Sequence, residues 1–336
     1  MNAVLRRRGR AVSVGVAETA CRGEPNGIVA AVLVAATDID FPGDRAGRRR
    51  GRERPGADGG VPIQSQNIHW ISAGRTHVGK IRKLNEDALL QRPDRGLWAV
   101  ADGMGGHDAG DYASASLVSA LGGIRDGLAL DDLVAEARQQ LERINTELVT
   151  AGRKRRSRII GSTVVVMLSE GREAVVLWAG DSRLYRLRGR RLELVTEDHS
   201  RIQELIASGK LDPEQAEQHP EANIITRAVG VSEVLDLASE RFPIRDGDTF
   251  LLCSDGLSRY AAETDIVAAL GAASCQHACD RLIDAVLETP ARDNISVVVA
   301  RATSDDSQLR TRLNPHPVVA DPTEPDGEPT TLDTRR

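Results

Sequence analysis

Six short runs rich in Val, Leu and Ile punctuate the chain beyond residue 96: Leu97–Ala101, Thr163–Leu168, Ala174–Ala179, Leu184–Leu187, Thr249–Cys253 and Ile295–Ala300. Each is bounded by Gly, Asp or Asn, the punctuation of β-strands. Helical spacing marks Tyr112–Leu121, Asp131–Thr150, Ser200–Ser208, Ala262–Leu270 and Gln276–Leu287. In the second of these, Leu133, Ala137, Leu141, Ile144 and Leu148 recur at three and four residues and share one face, with Asp131 or Asp132 as its cap. Gly171 and Gly189 mark hairpin turns. Helices and strands do not alternate: two long helices come together and four strands follow. That order predicts an α+β fold with antiparallel sheets, not a doubly wound parallel sheet.

The strand-like runs share a second property: they stop or start on acids. "VADGMGG" ends its run on Asp102, "LLCSDGL" on Asp255 and "WAGDSRLY" on Asp181, while "ARDNISVVV" sets Asp293 and Asn294 directly before a strand. "KIRKLNEDALL" sets Glu86 and Asp87 before an apolar pair, with Arg82 four residues earlier. A single Asp-Gly is ordinary turn chemistry. Several carboxylates at strand mouths are a different matter, because clustered carboxylates repel unless a cation or a proton resolves the clash. No Cys or His accompanies them in a ligand spacing, so an oxygen-only site selects Mg²⁺ or Mn²⁺ over Zn²⁺. Several acids favour two ions, which together activate water for displacement at phosphorus. Arg82 carries the planar fork that matches phosphate oxygens; the plainer alternative is a surface salt bridge with Glu86. "DGMGGH" lacks the lysine of a phosphate loop and the spacing of a dinucleotide loop, and no GxSxG stands at these strand ends.

Composition narrows the remaining classes. Aromatics make up 3% of 336 residues and the net charge is −5, which argues against a stacking platform or a basic surface for nucleic acid. The basic character is confined to the start, where residues 1–61 hold 11 Arg against 7 acidic residues. Residues 1–65 read as a disordered basic leader and 303–336 as a disordered Pro-rich acidic tail, leaving 66–302 as the folded body. The apolar run Ile28–Ala36 is too short to span a membrane, and its interrupted flanks do not read as an export signal. Cys275 and Cys279, with His277 between them, read as helix packing ahead of a metal clip. Free cysteines and no span suit a reducing, cytoplasmic setting.

The ordered set "RKLNED", "VADGMGG", "GST", "WAGDSRLY", "ITRAVG", "LLCSDGL" and "ARDNISVVV" resembles the metal-dependent protein Ser/Thr phosphatases of the PPM (PP2C-like) family in their bacterial form, over residues 70–302. The resemblance implies an αββα four-layer sandwich, two facing antiparallel sheets flanked by antiparallel helices. It implies two Mn²⁺ or Mg²⁺ ions bridged by Asp102, one also served by the Gly103 carbonyl and the other by Asp255 and Asp293. Glu86 and Asp87 would hold metal-bound waters, Arg82 would bind phosphate, and Asp181 with Asp255 matches a third metal position. The stretch from His199 to Asn223 corresponds to the family's flap. Met104 stands where animal-type members carry a histidine general acid, which leaves a metal-bound water or His107 as the proton donor.

"WISAGRTHVGKIRKLNEDALL" and "IIGSTVVVMLSEGREAVVLWAGDSRLY" are further similar to the phosphatases associated with type VI secretion. Those oppose a Ser/Thr kinase acting on a forkhead-associated-domain protein. The resemblance therefore implies phosphoprotein substrates, a cognate Ser/Thr kinase and such a partner, with no nucleic acid. The rival reading is a catalytically weak regulatory module on the same fold, which the full set Asp102, Asp255 and Asp293 disfavours.

Overall fold

The computed structural model describes residues 68–105, 109–154 and 159–304. The leader 1–65, His107 and the chain beyond Ser304 lie outside the described residues. Those described form two sheets. One has the order β1 (Ile68–His77), β11 (Ile295–Ser304), β10 (Thr249–Cys253), β7 (Arg183–Arg188), β8 (Arg191–Leu194). The other runs β2 (Asp87–Arg92), β3 (Leu97–Met104), β5 (Val164–Glu170), β6 (Glu173–Ala179), β9 (Ala238–Pro243), with the two-residue β4 (Gly161–Ser162) paired to the end of β3. Every strand pairing is antiparallel. The hairpins at Gly171 and Gly189 join β5 to β6 and β7 to β8.

Alternation along the strands builds the layers. In β3, Leu97, Ala99 and Ala101 pack under α1 (Gly110–Gly122) and α2 (Leu130–Lys154), while Trp98 and Val100 face the other sheet. In β10 and β11, Leu251, Cys253, Val297 and Val299 face α6 (Cys275–Leu287) and α5 (Glu263–Leu270). Phe250, Leu252, Val298 and Ala300 meet Trp98 and Val165 in the centre. A strand buried on both faces reads as a continuous apolar run, which is why these strands are visible in the sequence. The result is the expected α+β, αββα sandwich with three cores. All five residues of the α2 stripe are buried.

Three features depart from the sequence expectations. The N-terminus of α2 is not capped by Asp131 or Asp132; Glu170, at the β5–β6 hairpin, accepts from the Leu130 N–H at 2.7 Å. Strands β1, β2 and β9 lie outside the predicted runs; all three are sheet edges and mostly half-buried or exposed. β11 continues through Thr303 and Ser304, which pair with His69 and Ile68. The cysteines face the sheet: Cys275 and Cys279 donate to the Ile71 and Ala73 carbonyls, while His277 points outward. No helix among the described residues is long and apolar enough to cross a membrane.

Candidate metal centre

The period of two carries the site as well as the core. Asp102 follows Trp98 and Val100 on the inter-sheet face of β3, and Asp87 precedes Leu89 on the same face of β2. Ser254 continues the Phe250–Leu252 face of β10. All three emerge at one end of the sandwich, where apolar side chains give out and a cleft of about 330 Å³ opens. Arg82, Glu86, Asp102, Asp255 and Asp293 line it, with Met104 at the turn. Asp181 lies just behind, facing Asp255 across Arg259.

Each acid is held by a neighbour. The Asp102 backbone is clamped by "GST": its N–H donates to Thr163 Oγ1 at 3.1 Å, and its carbonyl accepts from Ser162 Oγ at 2.9 Å and from the Thr163 N–H. Ser182 shares a hydrogen bond with Thr163 Oγ1 at 2.8 Å. Ser254 Oγ donates to Asp87 Oδ2 at 2.8 Å and accepts from the Ser296 N–H at 3.0 Å. The Glu86 carboxylate accepts from the Gly110 N–H at the start of α1. Gly103 is a close-approach glycine: a Cβ there would collide with the carbonyls of Gly110 and Glu86.

Asn294 organises the Arg82 loop. Its Oδ1 accepts from the Glu86 N–H at 2.8 Å, and its Nδ2 donates to the carbonyls of Val78 and Leu84 at 2.9 and 3.0 Å. Both ends of the buried amide are thus spent on the segment that carries Arg82. Arg82 does not bridge to Glu86, as its spacing allowed; it pairs with Asp293 at 2.9 Å. His199 roots the flap stretch, exchanging hydrogen bonds with Gly180 and stacking on Trp178 at 5.9 Å. Asn223 and Ile225, at its far end, reach the cleft.

The electrostatics of the acids favour a cation among them. Burial lifts Asp102 well above the carboxylate range, and Asp87, Asp255, Asp181 and Asp293 add to the lift. Burial likewise pushes Asp87 and Asp181 up to about 7, and raises Asp255 and Glu86. Oδ1 of Asp87, of Asp181 and of Asp255 is buried with no hydrogen-bond partner. Orphaned carboxylate oxygens are costly unless something positive meets them. Among the described residues no three His, Cys, Asp or Glu side chains converge to cage an ion by themselves. Mg²⁺ and Mn²⁺ do not require it, since such ions keep several waters and take few protein ligands. An all-oxygen donor set with orphaned lone pairs fits hard divalent cations.

Residues 73–295 match the protein phosphatase 2C family. The chain belongs to that family. Its phosphatase 2C body is 34% identical over 229 residues to the serine/threonine protein phosphatase PstP of Mycobacterium tuberculosis, covering 68% of this chain and 44% of that protein. The chain thus spans under half the length of that relative. The serine/threonine phosphatase stp of Listeria welshimeri is 33% identical, covering 67% of this chain and 93% of that one. Among solved structures, PppA, a key regulatory component of T6SS in Pseudomonas aeruginosa, superposes with a TM-score of 0.66 at 42% identity, covering 70% and 100% of the two chains. The catalytic domain of PstP in complex with two manganese ions superposes at 0.64 with 32% identity, covering 70% and 99%. The described body is therefore a protein phosphatase 2C domain, and one of its solved relatives holds two manganese ions.

Several supporting residues had no assigned role in the sequence reading: Ser162, Thr163, Ser254, Arg259 and Asn294. All lie inside the quoted motifs or, for Arg259, two residues beyond one. For Ser254 and Asn294 the signal was a polar residue directly beside an acid at a strand end; Ser162, Thr163 and Arg259 carry no such mark in the sequence.

Proposed function

We propose that the chain hydrolyses phosphoserine and phosphothreonine in proteins, using two divalent cations held by Asp102, the Gly103 carbonyl, Asp255 and Asp293. The observation that carries this reading is the convergence, from both sheets, of Asp102, Asp255 and Asp293 on a cleft that Arg82 borders, with buried orphaned oxygens on Asp255 there and on Asp87 and Asp181 behind it. Bound cations supply Lewis acidity, making water nucleophilic near neutral pH and neutralising charge on phosphoryl oxygens. The chain's own residues do the rest. Arg82 leaves Asp293 to fork onto two phosphate oxygens and fixes the phosphoryl group for in-line attack. Glu86 and Asp87 orient waters at the cleft floor through their carboxylates. Met104 offers no proton, so the leaving hydroxyl takes its proton from solvent held in the cleft.

Mn²⁺ or Mg²⁺ both suit the donors, and Asp181 with Asp255 is the position for a third ion. Likeness to PppA, a regulatory component of T6SS, supports a role in controlling such a secretion system; a cytoplasmic setting, an opposing Ser/Thr kinase and a forkhead-associated-domain partner complete the reading that the motif resemblance implies. The basic leader 1–65 and the tail are dispensable for turnover in this reading.

The test is hydrolysis of p-nitrophenyl phosphate and a phosphothreonine peptide with Mn²⁺ and with EDTA, for the full chain and for Asp102→Ala and Asp255→Ala. Activity should require the metal and both acids; turnover that survives EDTA and the Asp102 change overturns the mechanism. Arg82→Ala should raise KM about tenfold for the peptide, in keeping with loss of a charge-assisted fork, with metal affinity kept.

A further inference from the structure

One cation in the site belongs to the protein and has no part in the mechanism above. Arg259 follows the four-residue helix α4 (Asp255–Ser258), one turn after Asp255. Its Nη2 lies 2.6 Å from Asp255 Oδ2 and 3.7 Å from Asp181 Oδ2. Both acids are more than nine-tenths buried, and the second oxygen of each is without a hydrogen-bond partner. The neighbouring guanidinium groups are engaged elsewhere: Arg183 forms a bidentate pair with Asp198 at 2.9 and 2.7 Å, and Arg82 pairs with Asp293. Arg259 therefore fills, from its own side chain, the gap between the two acids where a third divalent ion would sit.

We propose that Arg259 is a tethered counter-ion that competes with divalent metal for the Asp181–Asp255 pair, so that this chain holds its two cations tightly and admits a third only weakly. The inference rests on the metal-dependent reading of the cleft. A guanidinium is permanently charged and cannot leave as a proton, so a metal gains the pair only by swinging the side chain out. Its outward path is open, because the Arg259 side chain is 36% exposed. One acid, Asp255, is shared between this gap and the proposed two-ion site, which links the position of Arg259 to the occupancy of the site proper.

The test is Mn²⁺ binding to the full-length chain, read by calorimetry and by the spin resonance of free Mn²⁺. Arg259→Gln should gain one further ion per chain, or tighten the weakest site about tenfold, in line with loss of an adjacent like charge. Arg259→Lys should stay near wild type. Adding Asp181→Asn to Arg259→Gln should abolish the gain. In the otherwise unchanged chain, Asp181→Asn should not lower the number of ions bound at concentrations that saturate the tight sites, and this arm serves even if Arg259→Gln does not fold. Equal stoichiometry and equal weakest-site affinity in wild type and Arg259→Gln overturn the proposal, as does loss of a tight ion on Asp181→Asn alone. Metal-dependent hydrolysis of p-nitrophenyl phosphate by the wild-type chain is measured alongside. If it is absent the phosphatase reading fails, whereas the binding data alone decide the role of Arg259.

Discussion

Asp87 and Asp102 stand directly opposite each other across the β2–β3 ladder, a buried carboxylate and a half-buried one in one cross-strand pair. Like charges so placed destabilise a sheet. The fold tolerates the pair because Ser254 and Thr163 hold the flanking groups and because protonation or a cation removes the clash.

The first prediction follows from the sign of that clash. In the unfolded chain these acids titrate near 3.8; in the folded, metal-free chain burial holds Asp87 and Asp181 at about 7. Between those values the folded state binds more protons than the unfolded one, so stability falls as pH rises. Thermal melts in EDTA should show Tm highest near pH 4 and falling through about 7. Mn²⁺ should flatten the slope; a metal-free Tm that instead climbs from pH 5 to 7 would show that the acids are already neutralised otherwise.

Asp102→Asn should separate stability from function. It removes the acid with the most like-charged neighbours while keeping its shape. The metal-free protein should gain about 1 kcal/mol or more, as when an uncompensated buried charge is removed. Hydrolysis should drop at least a hundredfold. Denaturant unfolding in EDTA, set beside initial rates in Mn²⁺, checks both halves.

Asn294→Ala should act on Arg82 from a distance. Three hydrogen bonds to the 78–86 segment are lost, and buried backbone groups of that segment are left unpaired. A cost of about 2–3 kcal/mol is expected from unmet buried polar groups. KM for phosphopeptide should rise more than kcat falls, since the loop carries the phosphate-binding side chain. An unchanged KM in a folded variant would mean that the loop holds its place without the amide.

Gly103→Ala tests the close approach at the cleft. The added methyl meets two backbone carbonyls, of Gly110 and Glu86, and neither can turn aside as a flexible side chain could. Overpacking of this kind costs about 1–3 kcal/mol. It should also push the Gly103 carbonyl out of line, so that calorimetry shows weakened Mn²⁺ binding even at temperatures where the variant is folded.

Much of this was legible in the chain itself. The apolar runs that became β3, β5, β6, β10 and β11 are buried on both faces, and burial on both faces leaves a continuous apolar signal. The α2 stripe was equally plain, because a helix packed on one side repeats at three and four. The half-buried β1 and β9 carry no such signal, and their pairing to β11 and β6 is a long-range event.

The acids at the strand ends were visible as types and positions, and the ordered motifs were enough to imply the family, the fold and the list Arg82, Glu86, Asp87, Asp102, Gly103, Asp181, Asp255 and Asp293. The sequence by itself determined which residues must lie at the ends of strands, since alternation and glycine punctuation are local. Only the tertiary structure decided what each one meets there. Arg82 turned to Asp293 and not to Glu86, Glu170 capped a helix forty residues earlier, and Arg259 came to rest between Asp181 and Asp255. Those choices depend on how two sheets are stacked and on which charges are shut away from water together, and no spacing along the chain records either.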